Sequence, residues 1–299
     1  MQKNKTLIGY IFVIASAVIF GCMPLMTTRI YEDGINSFTL VFLRNLMSLP
    51  MLALAAKLSG HSLKITPRAL PSLSMIALMG CCVTPILLYT SYACKPMSTG
   101  MATVFHFVYP AVVVLLGALF LKNKIKMGEL ASLAICILGI CMFYTPGEEF
   151  SVPGAVIALL SGVTYALYIV GLAGFRYKEI SGFVFTFYGS IICTVVSLIV
   201  CLVSGNLRFP SSVGGWMLCV LFAFIFNVGA VVLFQRGTVL IGGERASILS
   251  TFEPITSVVV GVAYMEESGS WRTAVGTAFV VLAAVLIALL DAKKKKEEK

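Results

Sequence analysis

The sequence predicts an all-α integral membrane protein, ten transmembrane helices arranged as two inverted five-helix repeats. Three observations lead there. The 299 residues are 59% apolar and only 12% charged, with a mean hydropathy of +0.98, whereas a soluble chain carries about 25% charge. So little polar sequence cannot cover one or two domains in water. Apolar stretches long enough to cross roughly 30 Å of hydrocarbon recur ten times, and the two halves of the chain resemble each other.

Span 1 (7–28) follows Lys3 and Lys5 as a secretory signal would, but no small-residue cleavage site ends it, so it reads as a retained helix. Span 2 (37–58) holds Arg44 about two turns in, and Pro50. Span 3 (70–92) contains Pro85 and ends on Tyr89 and Tyr92, and span 4 (97–121) places His106 and Tyr109 before Pro110. Span 5 (129–145) is short and glycine-bearing. Spans 6 (153–174) and 7 (181–204) open the second half, with Tyr165 and Tyr168 on span 6. Span 8 (214–236) carries Asn227 and Phe234, and span 9 (245–265) sets Glu253 before Pro254. Span 10 (271–290) runs into the tail KKKKEEK, read as a solvated stop that touches anionic lipid.

Lys and Arg are retained on the cytoplasmic side of a membrane. One set of alternate loops holds Lys3, Lys5, Lys57, Lys64, Arg68, Lys122, Lys124, Lys126, Arg176, Lys178, Arg236, Arg245 and the tail lysines; the other holds Arg29, Lys95, Arg208 and Arg272. Both termini are therefore expected in the cytoplasm, as an even number of spans requires. The acidic pairs Glu32/Asp33, Glu148/Glu149 and Glu266/Glu267 fall in the outside loops. With no eukaryotic targeting signal, a bacterial inner or plasma membrane is the expected location. The basic balance (net charge +9) thus reads as membrane orientation, and no aromatic-plus-basic groove suggests nucleic acid. The nine cysteines lie in the spans without CxxC or Cys/His spacing, so they read as buried thiols and call for no metal or cofactor.

Residues 1–148 and 149–299 form the two halves. MATVFHFVYPAVVVLLGALFL aligns with RASILSTFEPITSVVVGVAYM, setting Ala102 over Ala246, Pro110 over Pro254 and Gly117 over Gly261. Spans 1 and 6 match with Ser16 over Ser161, Phe20 over Tyr165, and Ala17/Gly21 over Gly162/Ala166. Small residues four apart let helix backbones approach where lipid supplies no hydrophobic drive. Five helices per half is odd, so the second copy enters the membrane from the opposite face. Inverted repeats place a solute site near the midplane and permit alternating access.

With these segments, Arg44 in span 2 and glycines in spans 5 and 10, the chain resembles the drug/metabolite transporter superfamily, EamA branch, over nearly its whole length. That resemblance implies export of amino acids, related metabolites or drugs through a cavity lined by spans 1, 3, 4, 6, 8 and 9. In one respect the chain departs. The family often shows a Gly-Glu pair after span 4, where this chain has Lys122, while Glu266 keeps the equivalent after span 9.

Glu253 is the most unusual residue, since an acid at the centre of a transmembrane helix costs about 2.5–3.5 kcal/mol on translocon scales. It reads either as a proton-coupling or cation-binding group or as a structural Glu bonded to a neighbouring helix. His106 is the second coupling candidate. Pro110 frees the carbonyl of His106 and Pro254 that of Ser250, which makes both prolines candidate hinges or static kinks; Pro24, Pro50 and Pro85 read likewise. Tyr89, Phe105, Tyr109, Tyr165, Tyr168, Asn227 and Phe234 complete the candidate cavity lining, offering hydrogen bonds and aromatic faces. Arg44 is expected to snorkel to the headgroups, or else to make a salt bridge or anion contact at the cavity mouth.

The reading is a secondary transporter of a small organic solute, an amino acid or related metabolite, exported by alternating access, with Glu253 and His106 as the candidates for coupling it to protons. The alternative is an uncoupled facilitator or a lipid- or drug-handling protein of the same fold. With no HExxH, no Ser/His/Asp grouping and no Walker motif, an enzyme is not expected. The partners expected are the solute and the bilayer, and the chain is compatible with a monomer or a homodimer.

Overall fold

A computed structural model describes residues 2–121, 127–142, 151–174, 180–241, 249–267 and 269–297, and among them no strand occurs. The helices are α1 Gln2–Gly21, α2 Met23–Glu32, α3 Ser37–Leu58, α4 Leu70–Ala77, α5 Thr84–Tyr92, α6 Thr99–His106, α7 Tyr109–Leu121, α8 Met127–Cys141, α9 Val152–Gly174, α10 Gly182–Val203, α11 Val213–Phe222, α12 Val231–Ile241, α13 Phe252–Tyr264 and α14 Trp271–Glu297.

Six helical stretches are long and apolar enough to cross a membrane: Leu7–Glu32, Ser37–Leu58, Pro67–Tyr92, Val152–Gly171, Gly182–Val203 and Val213–Phe234. They coincide with predicted spans 1, 2, 3, 6, 7 and 8. Spans 4, 5, 9 and 10 are occupied by shorter apolar helices, Thr99–Val113, Leu130–Cys141, Phe252–Tyr264 and Trp271–Leu286. Among the described residues, six of the ten predicted spans are thus full-length crossings and the other four are apolar helices of shorter described length. Span 4 carries a local break. Pro110 has no N–H for the carbonyl four residues back, and the helix breaks at Phe107–Val108 between α6 and α7. The proposed boundary at 148/149, and the loop cations Lys122, Lys124, Lys126, Arg176, Lys178 and Arg245, lie outside the described residues, as does Ala246.

Where the start of a helix needs its free N–H groups satisfied, the chain supplies a cap. Asn36 Oδ1 accepts from Thr39 N at 2.9 Å, Ser98 Oγ from Met101 N at 3.1 Å and Ser212 Oγ from Gly215 N at 2.9 Å. Inside the spans, many hydroxyls donate to carbonyls one turn back, as from Thr27 to Met23 O and Thr90 to Ile86 O. That arrangement spares them an unsatisfied donor in hydrocarbon.

The two halves share structural details as well as sequence. α3 ends at Gly60 (φ +75°) and α10 at Gly205 (φ +66°), each closed by a 2.9 Å bond across the last turn, from His61 N to Ala56 O and from Asn206 N to Cys201 O. These are Schellman-type ends, whose left-handed residue favours glycine. Two π-helical stretches, Leu78–Val83 and Ala223–Ala230, interrupt the third span of each half. Pro85 deprives the Cys81 carbonyl of its usual donor, and Asn45 Nδ2 donates to that carbonyl at 3.3 Å.

Packing repeats the same symmetry. α3 lies along α10 and α8 along α14; α1 packs on α12 and α13, while α9 packs on α5, α6 and α7. Exchanging the halves maps these pairings onto one another. Glycines permit the closest crossings: a Cβ at Gly162 would stand 2.6 Å from the His106 carbonyl oxygen, and one at Gly21 would stand 2.7 Å from that of Glu253. These are the small residues picked out on spans 1 and 6, and each meets the span that carries a symmetric proline.

Candidate functional site

The break in span 4 brings the two halves together around a cluster of tyrosines. His106 ends α6 and is 5% exposed, and its Nδ1 lies 2.8 Å from Ser161 Oγ on α9. Ser161 spends its single proton on the Ala158 carbonyl at 2.6 Å. Its oxygen therefore accepts from His106, which places the proton of a neutral ring on Nδ1 and leaves Nε2 as the acceptor. The His106 ring lies 5.3 Å from that of Tyr165 and 5.8 Å from that of Tyr109. Tyr109 and Tyr165 meet edge to face at 4.9 Å, and Tyr165 stacks on Tyr168 at 5.6 Å, geometries that aromatic quadrupoles favour.

Glu253 sits in the first turn of α13, half-buried, its N–H bonded to Ser250 O at 3.0 Å. That bond takes the carbonyl which Pro254 would otherwise leave free. The carboxyl is within electrostatic reach of the hydroxyls of Tyr89, Tyr92, Tyr109 and Tyr165. Tyr92, which is 3% exposed, shares a hydroxyl chain with the same helices: its OH lies 3.2 Å from Thr103 Oγ1, to which Ser257 Oγ donates at 2.9 Å. One acid from the second half thus lies within electrostatic reach of phenols drawn from both halves.

Arg44 corrects an expectation. Its guanidinium does not reach outward to the headgroups; Nη1 donates to the hydroxyl of Tyr89, a residue only 1% exposed, and the cation sits 5.6 Å from that ring's centroid. The cause is visible one turn further along. Tyr89 is held from behind by Tyr31 OH bonding to its carbonyl at 2.9 Å and by an edge contact with Phe222 at 5.9 Å, so an anchored phenol competes with the headgroups for the side chain. Arg44 Nε is buried with no hydrogen-bond partner, and no carboxylate lies within ion-pair distance of Arg44 among the described residues.

The remaining candidates take other positions in the surrounding packing. Asn227, 6% exposed, belongs to the second π-helical stretch and donates to Arg44 O at 3.3 Å and to Ser48 Oγ at 3.4 Å, fixing the backbone of α3 rather than facing the tyrosines. Phe105 is buried in the main apolar core. Phe234 packs with Val13, Ile241 and Tyr10 between α1 and α12. Pro110 begins α7, and Pro254 lies in the first turn of α13.

Against known proteins, the model of the EamA-like transporter family matches residues 7–145 and again 152–289. The chain belongs to the EamA-like transporter family. The duplicated match covers both halves, and an EamA-like protein of this kind is a multi-pass membrane transporter of the drug/metabolite transporter type. Relatives at similar distance are uncharacterized transporters. One from Archaeoglobus fulgidus is 28% identical, covering 71% of this chain and 75% of its own; one from Clostridium kluyveri is 21% identical, covering 93% and 92%; one from Synechocystis is 26% identical, covering 98% and 95%. A solved crystal structure superposes with a TM-score of 0.65 at 18% identity, over 98% of this chain and 99% of that one. It supports the fold alone.

Two features of this EamA-like site escaped sequence reasoning. One is the inward turn of Arg44, for which residue spacing carries no signal because Tyr89 lies on another span. The other is Glu267, which the sequence placed only as an outside-loop acid. Its carboxylate accepts from Thr99 N at 2.6 Å and Gly100 N at 3.4 Å, capping α6 from the opposite half. Its neighbour Glu266, the residue that keeps the family's acid, instead occupies a turn at φ +55°. Lys122, the departure from that pattern in the first half, lies outside the described residues.

Proposed function

We propose that this chain is a secondary transporter that exports a small organic solute, an amino acid or related metabolite, across the cytoplasmic membrane. Ten spans form two inverted halves that rock about a midplane site, with both termini in the cytoplasm, following the pattern of inverted-repeat transporters. What supports this reading is the junction of the halves, where Glu253 lies within electrostatic reach of Tyr89, Tyr92, Tyr109 and Tyr165 and His106 bonds to Ser161. Intramembrane ionisable groups that face a bundle interior serve solute or proton pathways. Glu253 and His106 are the coupling pair in this proposal.

A second reading, an uncoupled facilitator or a lipid- or drug-handling protein, is favoured by a different feature. A cleft of about 470 Å³ lined by Val18, Ile19, Leu25, Leu218, Ile225 and Phe226 is almost wholly apolar. The test is counterflow in proteoliposomes preloaded with individual amino acids, amines, nucleosides or organic acids, after a thermal-shift screen at two pH values selects binders. Saturable counterflow that accelerates with an imposed proton gradient supports the coupled transporter. Solute movement that ignores the gradient turns the assignment to the facilitator, and stabilisation only by bulky apolar compounds turns it to the second reading.

A further inference from the structure

The inward-turned Arg44, half-buried near the start of α3, is a charge without a counter-ion among the described residues. Its guanidinium has five donors in a planar fork. Nη1 is used on Tyr89, Nε is buried and unused, and the one ion pair formed among the described residues is Arg29 with Glu32 at the exposed end of α2. Glu253, the acid at the start of α13, forms no ion pair with Arg44. A planar guanidinium with an idle donor matches the two oxygens of a carboxylate better than any neutral group. The surroundings hold it in place: Asn227 donates to the Arg44 carbonyl from α3's neighbour, and Tyr89 is clamped by Tyr31 and Phe222.

We infer that Arg44 is the anion-recognising residue of the transport site, its Nε and the free part of the fork taking a carboxylate carried by the solute. This rests on the transporter reading above and narrows its solute to a carboxylate-bearing one. Tyr89 then positions the guanidinium, and the acid Glu253, within electrostatic reach of the same tyrosine, favours a solute whose remaining charge is positive or absent.

The test is a binding comparison on the purified full-length protein. The probes are the natural L-amino acids and simple dicarboxylic acids, each beside the amide in which the carboxylate is replaced, with the rise in melting temperature as the readout. At least one acid should stabilise the wild-type protein, and its amide should bind at least tenfold more weakly. In Arg44→Gln the preference for the acid should disappear. In Arg44→Lys, which keeps the charge but loses the fork, it should be reduced rather than abolished. Equal binding of acids and amides by the wild-type protein, unchanged acid binding by Arg44→Gln, or no acid binding at all would each overturn the inference; the wild-type comparison decides even if a variant does not fold. Counterflow separates the two levels: acid-specific binding without any transport would defeat the transporter reading and leave Arg44 an anion site, whereas saturable counterflow of an uncharged or cationic solute would defeat the Arg44 assignment alone.

Discussion

The backbone N–H of Thr99 and the carboxylate of Glu267, 168 residues apart in sequence, are joined by a hydrogen bond of 2.6 Å. It draws an acid from the loop after α13 onto the positive end of α6, where exposed N–H groups and the helix dipole favour negative charge. We predict that Glu267→Ala lowers stability by about 1 kcal/mol, the usual worth of a cap, and that Glu267→Gln, which keeps an acceptor, costs less. Thermal melts in one detergent check this. Equal melting of all three proteins would show that the cap is idle.

Glu253 lies within electrostatic reach of four phenols at the junction of the halves, and the proposed role is proton coupling. Glu253→Gln removes the titratable proton while keeping the shape of the side chain, so the protein should fold normally and exchange solute in counterflow but lose its response to a proton gradient. Retention of the wild-type gradient response in that variant would return Glu253 to a structural role.

His106 lends its Nδ1 proton to Ser161. If the ring takes part in coupling, His106→Ala should shift the pH profile of transport, and Ser161→Ala should alter it in part by removing the partner that fixes the ring. Identical profiles in wild type and His106→Ala would assign the residue to packing.

Gly162 and Gly21 allow the backbone approaches that bring spans 6 and 1 against the proline-bearing spans. A methyl group at either position would meet a carbonyl oxygen at 2.6 or 2.7 Å. Gly162→Ala and Gly21→Ala should therefore each cost about 1–3 kcal/mol through overpacking, and both should impair transport, whereas Gly34→Ala, with nothing within 4 Å of its added methyl, should leave these crossings untouched. Normal stability and transport in Gly162→Ala would contradict the close crossing.

Outside the spans, Asp33 joins the loop after α2 to the start of α11. Hydrogen bonds from Ser212, and then from Ser211, hold its carboxyl below the ordinary value of 3.8, with Ser211 Oγ at 3.1 Å and Ser212 N at 3.2 Å. Because the folded value is the lower one, the stabilisation is present above the unfolded value and is lost as pH falls through the folded value. Melting temperatures taken from about pH 6 down to about pH 3 should therefore fall more steeply for the wild-type protein than for Asp33→Asn. Parallel curves would mean that the loop contact does not survive in solution.

Much of the architecture was legible because the bilayer is a one-dimensional constraint. Apolar length alone locates a span: predicted span 2 has the bounds of α3, residues 37–58, and spans 6 and 7 fall within a residue of α9 and α10. Pro110 announced the break in span 4 for an equally local reason, its missing N–H. The matching of spans 1 with 6 and 4 with 9 was legible too, and the recurring Ser-Gly ends at Ser59–Gly60 and Ser204–Gly205 were a further signal that went unread.

What composition and periodicity determined by themselves was therefore the medium, the helices and their division into two related sets, since each depends on residues close together along the chain. Tertiary structure alone decided which charges meet. Arg44 turns inward because Tyr89, anchored by Tyr31 and Phe222 from other helices, offers its hydroxyl where no headgroup can compete. Glu267 reaches α6 from the opposite half, and spans 1 and 6 cross their neighbours at glycines. Electrostatic and hydrogen-bond partners are fixed by proximity in space, and in a helical bundle residues far apart in sequence become neighbours only when the packing is complete.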